Sequence, residues 1–178
     1  FVVVLISYGY FEKQQGQREE FYILLLLATL GAEGLVASTH FVSFFLGLEV
    51  LSVSLYALIA YQRAKPRPLE AGIKYLVLAA SSAAFLLFGM ALIYAVLGTM
   101  QFGEIATRLA SQLNLPLGIL LPGMALLITG IGFKLGVVPF HLWTPDFYEG
   151  APAPAPAYIA TVSNGSMFAL LLPYSDAS

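Results

Sequence analysis

Apolar residues in this chain come in runs long enough to cross a bilayer, separated by short polar stretches. The runs cover residues 1–11, 21–38, 41–61, 71–97, 115–143 and 157–174. Crossing ~30 Å of hydrocarbon takes about 20 helical residues, so the pattern predicts about five transmembrane helices and an N-terminal stub. Only Thr39 and His40 separate the second and third runs, which forces an antiparallel helical hairpin. The fifth run is overlong and contains Pro122 and Pro139. Proline lacks an N–H and crowds the carbonyl four residues back, so this helix is expected to be discontinuous near Pro139. The predicted fold is all-α, a polytopic membrane helix bundle forming one transmembrane domain over 1–178.

The polar connections cover 12–20, 62–70, 99–114 and 144–156. Alternating sides puts Lys13, Arg18, Arg63, Lys65 and Arg67 at one surface and Arg108 at the other, so the first two connections are expected to be cytoplasmic. In 99–114, Phe102, Ile105, Ala106 and Leu109 fall at helical spacing. That segment reads either as a short amphipathic helix on the opposite surface or as an ordinary polar loop. Alternate prolines at 152, 154 and 156 favour an extended polyproline segment leading into the last span.

Composition strengthens the membrane reading, with 59% apolar and only 10% charged residues. The chain has no cysteine, which excludes iron–sulfur clusters and thiol chemistry within it, and two histidines leave little for a metal site. A net charge of −2 without a basic run gives no reason to expect nucleic acid. Phe1 stands where an initiator methionine would, inside an apolar run, so the chain reads as a fragment of a longer one.

Against this background the buried charges stand out. An intramembrane lysine costs at least ~2.5 kcal/mol, and an ionisable residue there is by default a candidate for ion or proton movement. Lys134 lies deep within 115–143, nine residues before Trp143 and five before Pro139. Glu49 lies near the centre of 41–61, with Gly47, Ser52 and Ser54 read as one small, polar strip beside it. A carboxylate so placed pairs with a cation or takes up a proton, and hydropathy makes Lys134 its natural counter-charge. At ~5 Å and an effective dielectric of ~20 the attraction is about 3 kcal/mol, enough for opening and closing the pair to load and unload a proton. The alternative is a fixed ion pair between helices.

Lys74 lies one turn inside its run and reads equally as a functional residue or a snorkelling anchor. Ser81 and Ser82 either extend a polar track inward or bond their own helix. His141, after the proline, is either a proton relay or a partner for a carbonyl freed by the break. Trp143, Tyr148 and Tyr158 read as interfacial aromatics, Glu33 as a partly hydrated charge near the hairpin turn, and Asn164 as a mid-span helix-to-helix bond.

The run Phe133 to Pro154 (FKLGVVPFHLWTPDFYEGAPAP) closely resembles the N-subunit family of proton-pumping NADH–quinone oxidoreductase, respiratory complex I. FFLGLEVLS (44–52), LEAGIKY (69–75) and FLLFGM (85–90) resemble the same family in the same order. The resemblance implies an antiporter-like membrane-arm subunit, here part of an inverted-repeat unit, that takes part in proton translocation coupled to NADH oxidation and quinone reduction. It implies no cofactor in this chain, since NADH, flavin, iron–sulfur clusters and quinone would bind other subunits. Implied partners are other membrane-arm subunits and antiporter-like neighbours in a bacterial inner membrane, or alternatively an organellar energy-transducing one. By the same resemblance Glu49 is a glutamate that pairs with Lys74, and Lys134 is the central lysine of a broken helix. The residue-level reading joined Glu49 to Lys134 instead. The family typically has a lysine where this chain has Asn164 and a neutral residue where it has Glu33. A structural spacer without a complete proton path and a sodium/proton antiporter-type subunit are the alternatives.

Overall fold

A computed structural model describes residues 2–12, 19–62, 66–111, 115–137 and 151–175. The helices are α1 (Val2–Glu12), α2 (Glu19–Val36), α3 (Phe41–Ile59), α4 (Pro66–Leu97), α5 (Phe102–Ser111), α6 (Leu117–Leu135) and α7 (Pro154–Tyr158). A π-helical turn (Ile159–Ser163) then joins α7 to α8 (Asn164–Ser175). Among the described residues, α3, α4 and α6 are long and apolar enough to cross a membrane. Of the other two expected spans, α2 has 18 residues and carries Glu19, Glu20 and Glu33. The last is composite, being α7, the π-helical turn and α8. The exterior is as apolar as the interior: Leu26 on α2 is 70% exposed, Val77 on α4 58% and Ile128 on α6 64%. Such a surface suits hydrocarbon rather than water.

Helices pack in the row α2, α3, α4, α6, with α7 and α8 lying across α2 and α3. Lipid supplies no hydrophobic drive between helices, so close contact depends on small residues that let backbones approach. At the α2–α3 crossing a Cβ on Gly31 would lie 2.5 Å from the Leu51 nitrogen, and one on Gly47 2.7 Å from the Leu35 nitrogen. Gly89 and Gly123 bring α4 and α6 together in the same way.

The hairpin expected at Thr39–His40 is present. His40 Nδ1 accepts the Val42 N–H (3.2 Å) and caps α3. Its turn is joined to the segment after α4: Phe41 N–H donates to Met100 O (2.9 Å) and Phe102 N–H to Thr39 O (3.1 Å). Segment 99–114, open between helix and loop, forms α5. Phe102, Ile105 and Leu109 pack on the core beside Phe44 and Leu48, and Arg108 donates to the Leu97 carbonyl at the end of α4. At the opposite end, Gln62 Nε2 donates to the Tyr10 hydroxyl (3.2 Å). The ends of α1 and α3 therefore lie together, as the charge distribution requires of the connections that follow them.

Two loop expectations are corrected. The helix expected from residue 71 begins at Pro66, with Pro66 and Pro68 in its first turn, where backbone N–H groups have no intrahelical acceptor. Polyproline structure expected at Pro152, Pro154 and Pro156 gives way to helix from Pro154 onward: Ala153 is αR and Pro154 opens α7. Burial of Pro154, Ala155 and Tyr158 against the α2–α3 core outweighs the local preference for extension.

The overlong fifth run also ends early. Gly136, at φ 63° and ψ 32°, stops α6 after Leu135. Its N–H bonds Phe133 O and the Val137 N–H bonds Gly132 O (3.0 Å each), a Schellman pair that satisfies two of the last four carbonyls. The discontinuity thus begins three residues before Pro139, which lies outside the described residues with the rest of 138–150.

Candidate functional site

Lys134 occupies the last turn of α6, where the negative end of the helix dipole favours a cation. Its Nζ donates to the hydroxyl of Ser52 on α3. Ser52 is buried and lies eleven residues from Phe41 and seven from Ile59. At 1.5 Å per residue this is roughly 16 Å from one end of α3 and roughly 10 Å from the other. The charge meets its acceptor well inside the span.

Ser52 Oγ donates its own proton to Leu48 O at 2.6 Å. It also shares a hydrogen bond with the hydroxyl of Tyr75 on α4, which is buried. A serine oxygen has one proton and two acceptor sites. With the proton on Leu48, Tyr75 and Lys134 both act as donors to Ser52. Three helices meet at one oxygen.

Glu49 lies one turn before Ser52 on the same face of α3, within electrostatic reach of both Lys134 and Tyr75. Its Oε1 is enclosed and has no hydrogen-bond partner. The structure therefore brings Glu49 and Lys134 to one site. Lys74 Nζ meets Glu70 Oε1 at 2.8 Å, with both side chains about half exposed, one turn into α4. His141 lies outside the described residues.

The small, polar strip expected on α3 separates into two faces. Gly47 meets α2, whereas Ser52 meets α4 and α6. At 100° per residue the two positions are about 140° apart, so they cannot share a face. Ser81 and Ser82 also diverge: Ser81 bonds back to Val77 O (2.9 Å), and buried Ser82 donates across to Gly130 O on α6 (2.9 Å). That acceptor is one helical turn before Lys134 and ties α6 to α4 just beside the lysine.

Tyr158 is corrected as well. It is 3% exposed rather than interfacial, and its hydroxyl donates to Thr29 Oγ1 (3.1 Å) on α2. Trp143 and Tyr148 lie outside the described residues. Glu33 is exposed three residues before the end of α2, and Asn164 opens α8 directly after the π-helical turn. Sequence reading missed Tyr75, although a tyrosine one residue after Lys74 and four before Ala79 already falls on the buried face of α4. Among the described residues no group of three or more His, Cys, Asp or Glu is placed to hold a metal ion.

A family profile described as NADH:quinone oxidoreductase/Mrp antiporter, TM, matches residues 38–176. NADH-quinone oxidoreductase subunit N of Nitrosospira multiformis is 60% identical over 175 residues, which are 98% of this chain and 34% of that protein. The subunit N of Methylococcus capsulatus is 51% identical over 177 residues, 99% of this chain and 36% of the relative. The chain spans about a third of the length of the curated relatives it matches. Among solved structures, respiratory complex I from Thermus thermophilus with bound aureothin contains a similar chain at 35% identity and a TM-score of 0.78, covering 96% of this chain and 37% of that one. The membrane-bound sulfane sulfur reductase, an archaeal respiratory membrane complex, gives 30% identity and a TM-score of 0.82 over 95% of this chain and 34% of its own. Glu49, Ser52, Tyr75 and Lys134 all fall inside the segment matched by the family profile.

Proposed function

Because this chain belongs to the NADH:quinone oxidoreductase/Mrp antiporter transmembrane family, we propose that it is part of a proton-translocating membrane-arm subunit of an NADH–quinone oxidoreductase, respiratory complex I. The observation that carries this reading is Lys134: an ammonium held inside a membrane-spanning bundle, at the end of an interrupted helix, beside a carboxylate with an unpartnered oxygen. Such a charge is costly in hydrocarbon and is usually kept for transport. A structural spacer would hold its charges as fixed pairs, which the state of Glu49 Oε1 disfavours.

In this reading the subunit acts as a non-redox part of a translocase. Lys134 and Glu49 handle the proton within the membrane. Lys74, with Glu70 beside it, serves the end where α4 begins, and His141 relays beyond the break. NADH oxidation and quinone reduction take place on cofactors of other subunits, and their energy reaches this one through its membrane-arm neighbours. The curated relatives are bacterial, which supports a bacterial inner membrane as the location.

The test is proton pumping by the assembled parent complex in sealed vesicles. Lys134→Ala and Glu49→Ala should each lower the protons moved per quinone reduced. Undiminished pumping at normal assembly would refute the reading.

A further inference from the structure

The hydroxyl of Ser52 has no capacity left. Its proton is committed to Leu48 O, and its acceptor sites are filled by Lys134 Nζ and the Tyr75 hydroxyl. It therefore offers Glu49 nothing, although residues three apart on a helix are neighbours. Lys134 faces two acceptors one helical turn apart: a neutral hydroxyl, which it occupies, and a carboxylate whose Oε1 is enclosed and unpartnered. A lysine ammonium on a flexible four-carbon stem can serve either acceptor without movement of its helix.

We propose that Ser52 is a positioning residue that holds Lys134 off Glu49, giving the lysine two docking positions, and that Tyr75 fixes the Ser52 hydroxyl for this task. This deepens the proton-translocation reading and rests on it. Docking on a neutral oxygen keeps the ammonium within the field of Glu49 but leaves Oε1 of that carboxylate unpartnered, so the lysine is ready either to move onto Glu49 or to lose a proton. The Tyr75 hydroxyl matters because it fills one acceptor site of Ser52 and so limits the directions from which Lys134 can approach. Nothing in the sequence marks Ser52 for this role ahead of Ser54, which bonds back to Val50 O (2.8 Å) and touches no other helix through that bond.

The test uses the assembled parent complex in sealed vesicles, measuring protons moved per quinone reduced across a range of pH. Ser52→Ala should slow proton transfer at Lys134 about tenfold, the effect of one lost hydrogen bond to a charged group, and so lower this ratio and displace the pH profile. Ser52→Thr keeps the hydroxyl and should restore most of the ratio; Tyr75→Phe should fall between wild type and Ser52→Ala. In a Glu49→Gln background, Ser52→Ala should add no further loss, because the competing acceptor is gone. Ser82→Ala, which removes another buried hydroxyl from the same region, should leave the pH profile in place.

The proposal is overturned if Ser52→Ala pumps like wild type, or if Ser52→Thr falls as far as Ser52→Ala, which would make the residue a matter of packing. Should Ser52→Ala fail to assemble, Tyr75→Phe decides: a displaced pH profile supports the proposal and an unchanged one overturns it. Lys134→Ala separates the two levels. Loss of pumping there with a silent Ser52→Ala defeats only the positioning role, whereas normal pumping in Lys134→Ala defeats the underlying reading.

Discussion

Gly136 ends α6 two residues after Lys134, and its φ of 63° sets the direction in which the chain leaves the lysine. Replacing it with alanine puts a Cβ in the left-handed region, at a cost of about 1–2 kcal/mol. The pair of 3.0 Å bonds from Gly136 and Val137 to Phe133 and Gly132 depends on that conformation. With a tenfold change for every ~1.4 kcal/mol, the end of α6 should open roughly 5- to 30-fold more often in Gly136→Ala. Global melting is a poor probe in a large assembly, because one residue's contribution is diluted by the rest. Hydrogen exchange of the Val137 amide in the intact complex is the direct assay, since this N–H is released when the cap opens. Exchange should speed up by the factor above in Gly136→Ala, and by less in Gly136→Asn, because asparagine tolerates the left-handed region better. If Val137 exchanges at the wild-type rate in Gly136→Ala, the cap does not hold the end of α6 and the reasoning fails.

Two further outcomes follow from the packing. Gly47→Ala places a methyl group 2.7 Å from the Leu35 nitrogen, so α2 and α3 must separate; a loss of about 1–3 kcal/mol is expected, read as earlier thermal loss of the assembled complex. Ser82→Ala removes one bond to Gly130 O, 2.9 Å long, and should cost about 0.6 kcal/mol, the average for hydrogen bonds between membrane helices, with proton pumping per quinone retained.

The helices were legible wherever a single physical effect governed them. Apolar runs gave α3 and the body of α4, and the two-residue gap at Thr39–His40 gave the hairpin, because hydrocarbon thickness and chain connectivity leave little choice. Helix ends were harder. Pro66 and Pro68 were read as part of a polar connection, and Pro154 and Pro156 as marks of extended chain, yet a first helical turn has no use for the missing N–H groups. The break in α6 was attributed to Pro139, when a glycine able to adopt positive φ ends the helix sooner.

At the site, Glu49 and Lys134 were identifiable as charges that hydrocarbon would otherwise reject. Ser52 was legible only as one of a small, polar strip and Tyr75 not at all, because hydroxyl groups in membrane helices usually bond their own backbone, as Ser54 and Ser81 do. Which serine reaches across is decided by helix rotation and crossing, and these depend on glycine contacts between elements far apart in sequence. Tyr158 was misplaced for a related reason: an aromatic near the end of a run looks interfacial until the fold covers it.

The hydrogen bonds that join the α2–α3 turn to the start of α5 are all made by main-chain atoms, the N–H groups of Phe41 and Phe102 and the carbonyls of Met100 and Thr39. Evolution can therefore exchange one apolar side chain for another at Phe41, Met100 and Phe102, which pack into the core, without deleting these hydrogen bonds. Only proline at 41 or 102 would delete a donor. The hydrogen bonds at this end of the bundle survive any other apolar exchange, while the meeting of three helices at Ser52 depends on particular polar side chains and is fragile. Related chains should consequently trade apolar side chains at the joint and still superpose there.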